Sequence, residues 1–218
     1  TIKVFYSFDF HYPNVYPIPV GSHRYQVTVT TKGGHSYTDF GSPNAIVEAS
    51  LLIESLSHIP VSADPKTTWN LGTIQGGTTV NSIASSCSFR YEYRSTDEGE
   101  IQRMKKAFQE TLEKHQKDGV TIQVENIGER PALGPIDRKA LDAFTRKTEE
   151  VVRNVTGMEP VVTSLSSDSN IPLSMGILAN TVGTIIGDGA HTKEEWIDIS
   201  SLPTGMKVAV GLVSLYLS

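Results

Sequence analysis

"RYQVTVT", residues 24–30, is the stretch on which the fold turns. Tyr25, Val27 and Val29 fall on one side of an extended chain, the period-two pattern of a strand with one face buried. Working outward, "KGGHS" (32–36) makes a turn. Ser42 followed by Pro43 predicts a helix start with proline in the first turn. Ile46, Ala49, Ile53 and Leu56 form its apolar stripe, and Pro60 stops it. "TWNLGTI" (68–74) reads as a second strand and "SCSFRYEYR" (86–94) as a third, with Cys87, Phe89, Tyr91 and Tyr93 inward and Gly76 and Gly77 breaking the chain between the two. Ser95 with Glu98 forms a capping-box signature, and Ile101, Met104, Phe108 and Leu112 mark a long amphipathic helix closed by Gly119. "VTIQVE" (120–125) is a fourth strand. The order β-α-β-β-α-β is that of a ferredoxin-like unit, two helices covering one face of a four-stranded antiparallel sheet. The other face is left to water or a partner.

After "GERPALGP" (128–135) the grammar changes. A helix is expected from about Asp137, with Leu141, Phe144, Val151 and Val155 on one side. Short apolar runs follow at 161–163 and 177–186, and Pro203 opens a last helix. Helices alternating with near-continuous apolar strands predict an α/β layer whose sheet is buried on both faces.

The 218 residues give room for two modest domains. A formal net charge of −5 and the lack of any long Lys/Arg run argue against nucleic acid or an anionic membrane surface as partner. No run approaches the roughly 18 apolar residues of a membrane span, and "TIKVFYSFDFHYP" at the start lacks the design of a signal peptide. Cys87 is the only cysteine, which excludes an internal disulfide and a cysteine-based zinc site and points to a reducing, cytoplasmic compartment.

The candidate chemical groups are weak one at a time. His191 sits on a Gly-flanked turn in "GDGAHTKEEW" (187–196), and by spacing alone it reads as a hydrogen-bonded turn histidine. His35 in "GGHS" reads as an exposed turn residue, and Asn81 as turn chemistry. Arg24, Arg94 and Arg130 could each clamp a carboxylate in a bidentate way, though an arginine on the outward face of a strand is usually solvated surface.

Together the motifs say more. "VGSHRYQVTVTTKGGHSYTDFGSPNAI" (20–46), "GTIQGGTTVNSIA" (72–84), "SSDSNIPLSMGI" (166–177) and "GDGAHTKEEW" (187–196) resemble, in this order, the two-zinc aminoacylase and carboxypeptidase superfamily, whose members include peptidase T, carnosinase and succinyl-diaminopimelate desuccinylase. The resemblance implies a catalytic α/β domain interrupted by a ferredoxin-like lid that also forms a homodimer. Residues 1–20 would end the first catalytic segment, 21–126 would be the lid, and 127–218 the C-terminal catalytic segment. It implies two zinc ions in the complete enzyme, with His191 ligating one of them, and small peptides or N-acyl amino acids as substrates. His35 would reach the active site of the partner subunit, and Asn81 would help bind the substrate. Asp9, about a dozen residues before the "VGSHRY" stretch, matches a further carboxylate ligand.

The departures matter equally. The superfamily also uses a His-x-Asp motif and a Glu-Glu pair whose first member is the general base. No His-x-Asp occurs here, and Glu149-Glu150 and Glu194-Glu195 lie where that base does not belong. Phe10 stands where the family has glycine after its carboxylate. A catalytic zinc needs three protein ligands plus water, so the expectation is the C-terminal part of a zinc-dependent hydrolase, inactive alone and holding no zinc stably. Residues 137–218 should then leave apolar surface uncovered. The rival reading is a non-catalytic dimerisation module or pseudoenzyme on the same fold.

Overall fold

In the computed structural model, which describes residues 2–190 and 192–216, the chain forms two compact units. One comprises the residues up to Val20 together with those from Pro131 onward, the other Gly21–Arg130. The first opens with β1 (Val4–Phe8) and β2 (Asn14–Pro19). β2 was not expected, because Pro17 and Pro19 bring no N–H to a ladder. The strand accommodates Pro17 where its register against a neighbour shifts, between Val15 and Ile18, and Pro19 is its last residue.

The second unit runs β3 (Gly21–Thr31), β4 (Gly34–His35), α1 (Ala45–Ser57), β5 (Thr67–Gly76), β6 (Ser82–Ile83), β7 (Ser86–Ser95), α2 (Glu98–Lys114) and β8 (Val120–Arg130). Its main sheet has the order β5-β7-β3-β8 with every neighbour antiparallel, the ferredoxin-like arrangement. β4 and β6 form a separate short ladder. The alternation places Tyr25, Val27, Val29, Cys87, Phe89, Tyr91 and Tyr93 in the core. Phe108 of α2 enters between the tyrosines, its ring centroid 4.5 Å from Tyr25 and 5.6 Å from Tyr91. Such pairs add about 0.5–1.5 kcal/mol beyond the area they bury.

Both helices of this unit begin later than expected. The N-cap of α1 is Asn44, whose Oδ1 accepts from the Ile46 amide at 3.0 Å, so Ser42 and Pro43 lie outside the helix. The helix packs with Ala45, Ala49, Leu52 and Leu56 buried, and Ile46 faces outward. The cap of α2 is Asp97, with Oδ1 accepting from Glu100 N at 3.0 Å, while Ser95 ends β7 and its Oγ accepts from the Asp97 amide. A short carboxylate two residues on outcompetes the capping box.

The first unit resumes with α3 (Arg138–Thr156), β9 (Val161–Leu165), α4 (Asn170–Ser174), β10 (Leu178–Val182), β11 (Gly187–Asp188), β12 (Trp196–Ile197) and α5 (Leu202–Ser214). Its larger sheet is mixed, in the order β1-β10-β2-β9; β1 and β10 are parallel, as are β2 and β9, and β10 and β2 are antiparallel. Val15, Val152, Val182, Val208 and Leu212 form one apolar cluster, and Leu133, Leu141, Phe144, Leu173 and Ala179 another. Asn180, buried on β10, is satisfied by the hydroxyls of Thr145 at 3.2 Å and Thr148 at 2.9 Å. The expectation of a sheet buried on both faces fails at β9, where Val161 and Val162 are exposed. Met206, Val210 and Val213 likewise leave an apolar stripe of α5 uncovered. No helix among the described residues is long and apolar enough to cross a membrane.

One buried imidazole makes the second unit sensitive to pH. His23 of β3 is 1% exposed and stacks on Tyr93 with ring centroids 5.3 Å apart. Its Nδ1 lies 3.2 Å from the hydroxyls of both Tyr25 and Tyr93, and its Nε2 is 3.4 Å from Glu129. Burial pushes its pKa below the ordinary value of 6.5, although Glu129 pulls the other way. Below pH 6.5 the unfolded chain therefore binds a proton that the folded chain resists, so this stability is whole above that pH and is lost as the pH falls through it. The urea midpoint should drop between about pH 7 and 5, and the drop should shrink in His23→Phe. Parallel pH profiles for the two proteins would refute the assignment.

Candidate functional site

The β4–β6 ladder builds one candidate surface. Thr31, at the end of β3, donates through Oγ1 to the Ala84 carbonyl at 3.0 Å and through its amide to the Ser85 carbonyl at 2.9 Å. The chain then reverses at Gly33, which has φ +69°, and a Cβ there would stand 2.9 Å from that of Ser85, so both conformation and space require glycine. Beyond it His35 pairs with Ser82, and the Ser36 amide donates to the Asn81 carbonyl at 3.0 Å. Two residues far apart in sequence are thus brought together on an exposed edge.

The hydrogen bonds of this edge give the imidazole a direction. Nδ1 of His35 accepts from the amides of Tyr37 at 3.3 Å and Thr38 at 3.4 Å. In the neutral ring that places the proton on Nε2, as an outward donor. Asp39 holds the turn from the other side, its Oδ2 accepting from the His35 amide at 2.7 Å. Asn81 accepts from Thr79 Oγ1 at 2.9 Å through its Oδ1, a bond that uses neither Nδ2 donor. A cleft of about 290 Å³ lined by Lys32, Gly33, Gly34, Gly77, Thr78 and Ser82 lies alongside. Tyr37, Phe40 and Val80 project from the same end with exposures of 86%, 90% and 102%.

Asp9 lies in the other unit, at the end of β1. Its amide donates to Val182 at 3.1 Å and its Oδ1 accepts from the Phe10 amide at 2.9 Å, which leaves the second carboxylate oxygen for another partner. Phe10 has φ +67°, the one positive-φ residue other than glycine among the described residues. Its carbonyl, accepting from Thr184 and Ile185, holds it there, and the following turn packs so closely on Gly183 that a Cβ would meet the His11 carbonyl. His191, the other expected ligand, lies outside the described residues. Among the described residues no three His, Cys, Asp or Glu side chains are grouped to hold a metal ion. Asp9 alone falls short of the three ligands that a catalytic zinc needs.

The three arginines converge in register at one end of the second unit's sheet, with Arg94 and Arg130 flanking Ser22 on its two sides. Two of them are already engaged. Glu92 accepts from Arg94 Nε at 3.0 Å and Arg24 Nε at 3.3 Å; burial would raise its pKa, yet the two guanidiniums outweigh that and hold it below the usual carboxylate range. A residue the sequence reading passed over is His11, whose Nδ1 is buried with no hydrogen-bond partner among the described residues. It stands two positions after Asp9 on the same loop, the reverse of the His-x-Asp order.

Comparison with known proteins agrees with this architecture. Residues 20–120 match the family described as the peptidase dimerisation domain. The chain is 27% identical over 194 residues to an acetylornithine deacetylase of Myxococcus xanthus, covering 81% of this chain and 48% of that protein. Among solved structures, aminopeptidase PepT of Bacillus cereus superposes with a TM-score of 0.71 at 21% identity, covering 97% of this chain and 56% of its own. A Staphylococcus aureus tripeptidase gives a TM-score of 0.72 at 20% identity, covering 98% and 57%. The chain spans about half the length of the relatives it matches.

The strained turn beside Asp9 gives a direct test. A side chain costs about 1–2 kcal/mol in the left-handed region that glycine enters freely. Phe10→Gly and Phe10→Ala both lose the ring, so Phe10→Gly should be the more stable of the two by about 1 kcal/mol in denaturant unfolding. The opposite order, usual where φ is negative, would show that the turn does not adopt this conformation.

Proposed function

We propose that this chain belongs to the aminoacylase and carboxypeptidase superfamily and is the lid and C-terminal catalytic part of a hydrolase that cleaves an amide bond in small peptides or N-acyl amino acids. The observation that carries this reading is the meeting of His35 and Asn81 on one exposed edge of the unit that matches the dimerisation domain. The outward Nε2–H of His35 suits a donor to a carbonyl oxygen that gains negative charge as water adds. Asn81 offers amide donors to the substrate's backbone. Held by a tight turn, both groups need little reorganisation during the reaction.

The unit Gly21–Arg130 would act as lid and as the homodimer contact, and the projecting Tyr37, Phe40 and Val80 are the apolar anchors such a contact uses. His35 would serve the partner subunit's site. Asp9 and His191 would supply two ligands to the two zinc ions of the complete enzyme, the remaining ligands and the general base coming from the half of the relatives that this chain does not span. A cytoplasmic setting fits the single, buried cysteine.

Mixed dimers test the arrangement across subunits. In the full-length enzyme, His35→Ala should lower kcat about 10²- to 10³-fold, and His191→Ala should abolish turnover. Mixing and re-equilibrating the two defective proteins in equal amounts should restore about a quarter of wild-type activity, since half the dimers then hold one site with both groups intact. No recovery, with exchange of subunits verified by mass, would place His35 in its own subunit's site or outside catalysis.

A further inference from the structure

The segment "SSDSNIPLSMGI" contains a buried side chain to which the hydrolase reading gives no role. Asn170 begins α4 and is 1% exposed. Its Oδ1 accepts from the Ser167 amide at 2.8 Å. Its Nδ2 donates to two carbonyls, that of Val20 at 3.0 Å and that of Pro131 at 2.9 Å. These are the last residue before the chain leaves the first unit and the first residue after it returns. Every hydrogen-bonding position of the amide except the second lone pair of Oδ1 is thus filled, by partners from three separate segments.

The surroundings leave little room for another arrangement. The Val20 amide donates to the Leu165 carbonyl at 2.9 Å, so the outgoing segment is held through both the N–H and the C=O of Val20. On the returning side, a Cβ on Gly134 would come within 2.1 Å of the Ser174 carbonyl at the end of α4, and one on Gly176 within 2.9 Å of the Pro135 carbonyl. Ala132 and Leu133 are buried there. Ser167 and Ser169 brace the start of the same segment, their hydroxyls lying 2.6 Å and 2.8 Å from that of Thr181.

We propose that Asn170 is a latch that fastens the outgoing and returning connections of the inserted unit to each other, so that the two move as one root. A carboxylate in its place would keep the bond from Ser167 but turn both donors into acceptors facing carbonyl oxygens. Leucine would bury both carbonyls unpaired, which is costly in a dry site. The inference concerns the connections alone and stands whether or not the protein is a hydrolase.

Hydrogen exchange of the whole 218-residue chain, read by mass spectrometry, is the test. In Asn170→Asp and Asn170→Ala, peptides covering residues 18–22 and 130–134 should exchange about tenfold faster together, while the centres of β3 and α3 keep their protection. Faster exchange at only one connection, or a uniform rise across the first unit, would show an ordinary core residue and overturn the latch. Should neither variant fold, the unmutated chain decides the matter by NMR. Both Nδ2 protons of Asn170 should exchange far more slowly than those of the exposed Asn81, and equal rates would overturn the proposal.

Discussion

The register of β3 is the constraint from which the rest follows. This strand is paired along nearly its whole length on both sides, Tyr25 opposite Tyr91 and Val27 opposite Phe89 and Val124. Its inward residues are closed over by Phe108. A slip of one residue would turn Tyr25, Val27 and Val29 to the outside and bring Arg24 and Gln26 into the core, so packing permits a single register. That register fixes where Thr31 ends, and Thr31 in turn fixes residues 84 and 85. The chain before them then has one place to lie, and His35 meets Asn81 there. The candidate site is therefore positioned by the core packing that fixes β3.

How much of this was legible in the sequence depended on the range of the signal. The alternation in β3 and β7 and the 3.6-residue period of α2 gave the ferredoxin-like order directly, because each element carries its own burial pattern. Helix starts were less legible. Ser42-Pro43 and Ser95 with Glu98 are good local signals, but Asn44 and Asp97 lie nearer the helices and have side chains equally able to accept an amide. β2 was hidden because Pro17 and Pro19 contradict strand chemistry, and only pairing with β9 and β10 overrides them. The exposure of β9 was illegible for a similar reason: an apolar run reads alike whether or not anything covers it.

The candidate site divides along the same line. Residue identities came from motif resemblance, whereas their chemistry came from hydrogen bonds that no motif records. That Nδ1 of His35 accepts two backbone amides, and so leaves Nε2–H as the donor, depends on the turn through Tyr37 and Thr38. Phe10 occupies the position where the resembling family has glycine. Its φ of +67° shows that the backbone keeps the conformation glycine would favour, so the departure changes the side chain and leaves the turn at Asp9 in place. The arginines show the reverse. Arg24 and Arg94 read from the sequence as solvated strand-face residues with a lesser chance of clamping a carboxylate, and the carboxylate they hold is that of Glu92.

A crystal structure of the full-length protein with a phosphinic analogue of the tetrahedral intermediate decides most directly whether His35 acts across the proposed dimer. The Nε2 of His35 from one subunit should lie about 2.7–3.1 Å from an analogue oxygen bound in the other subunit's site, with Asn81 of the same edge beside the analogue's backbone. An analogue bound with His35 facing solvent, or held by the His35 of its own subunit, would contradict this arrangement.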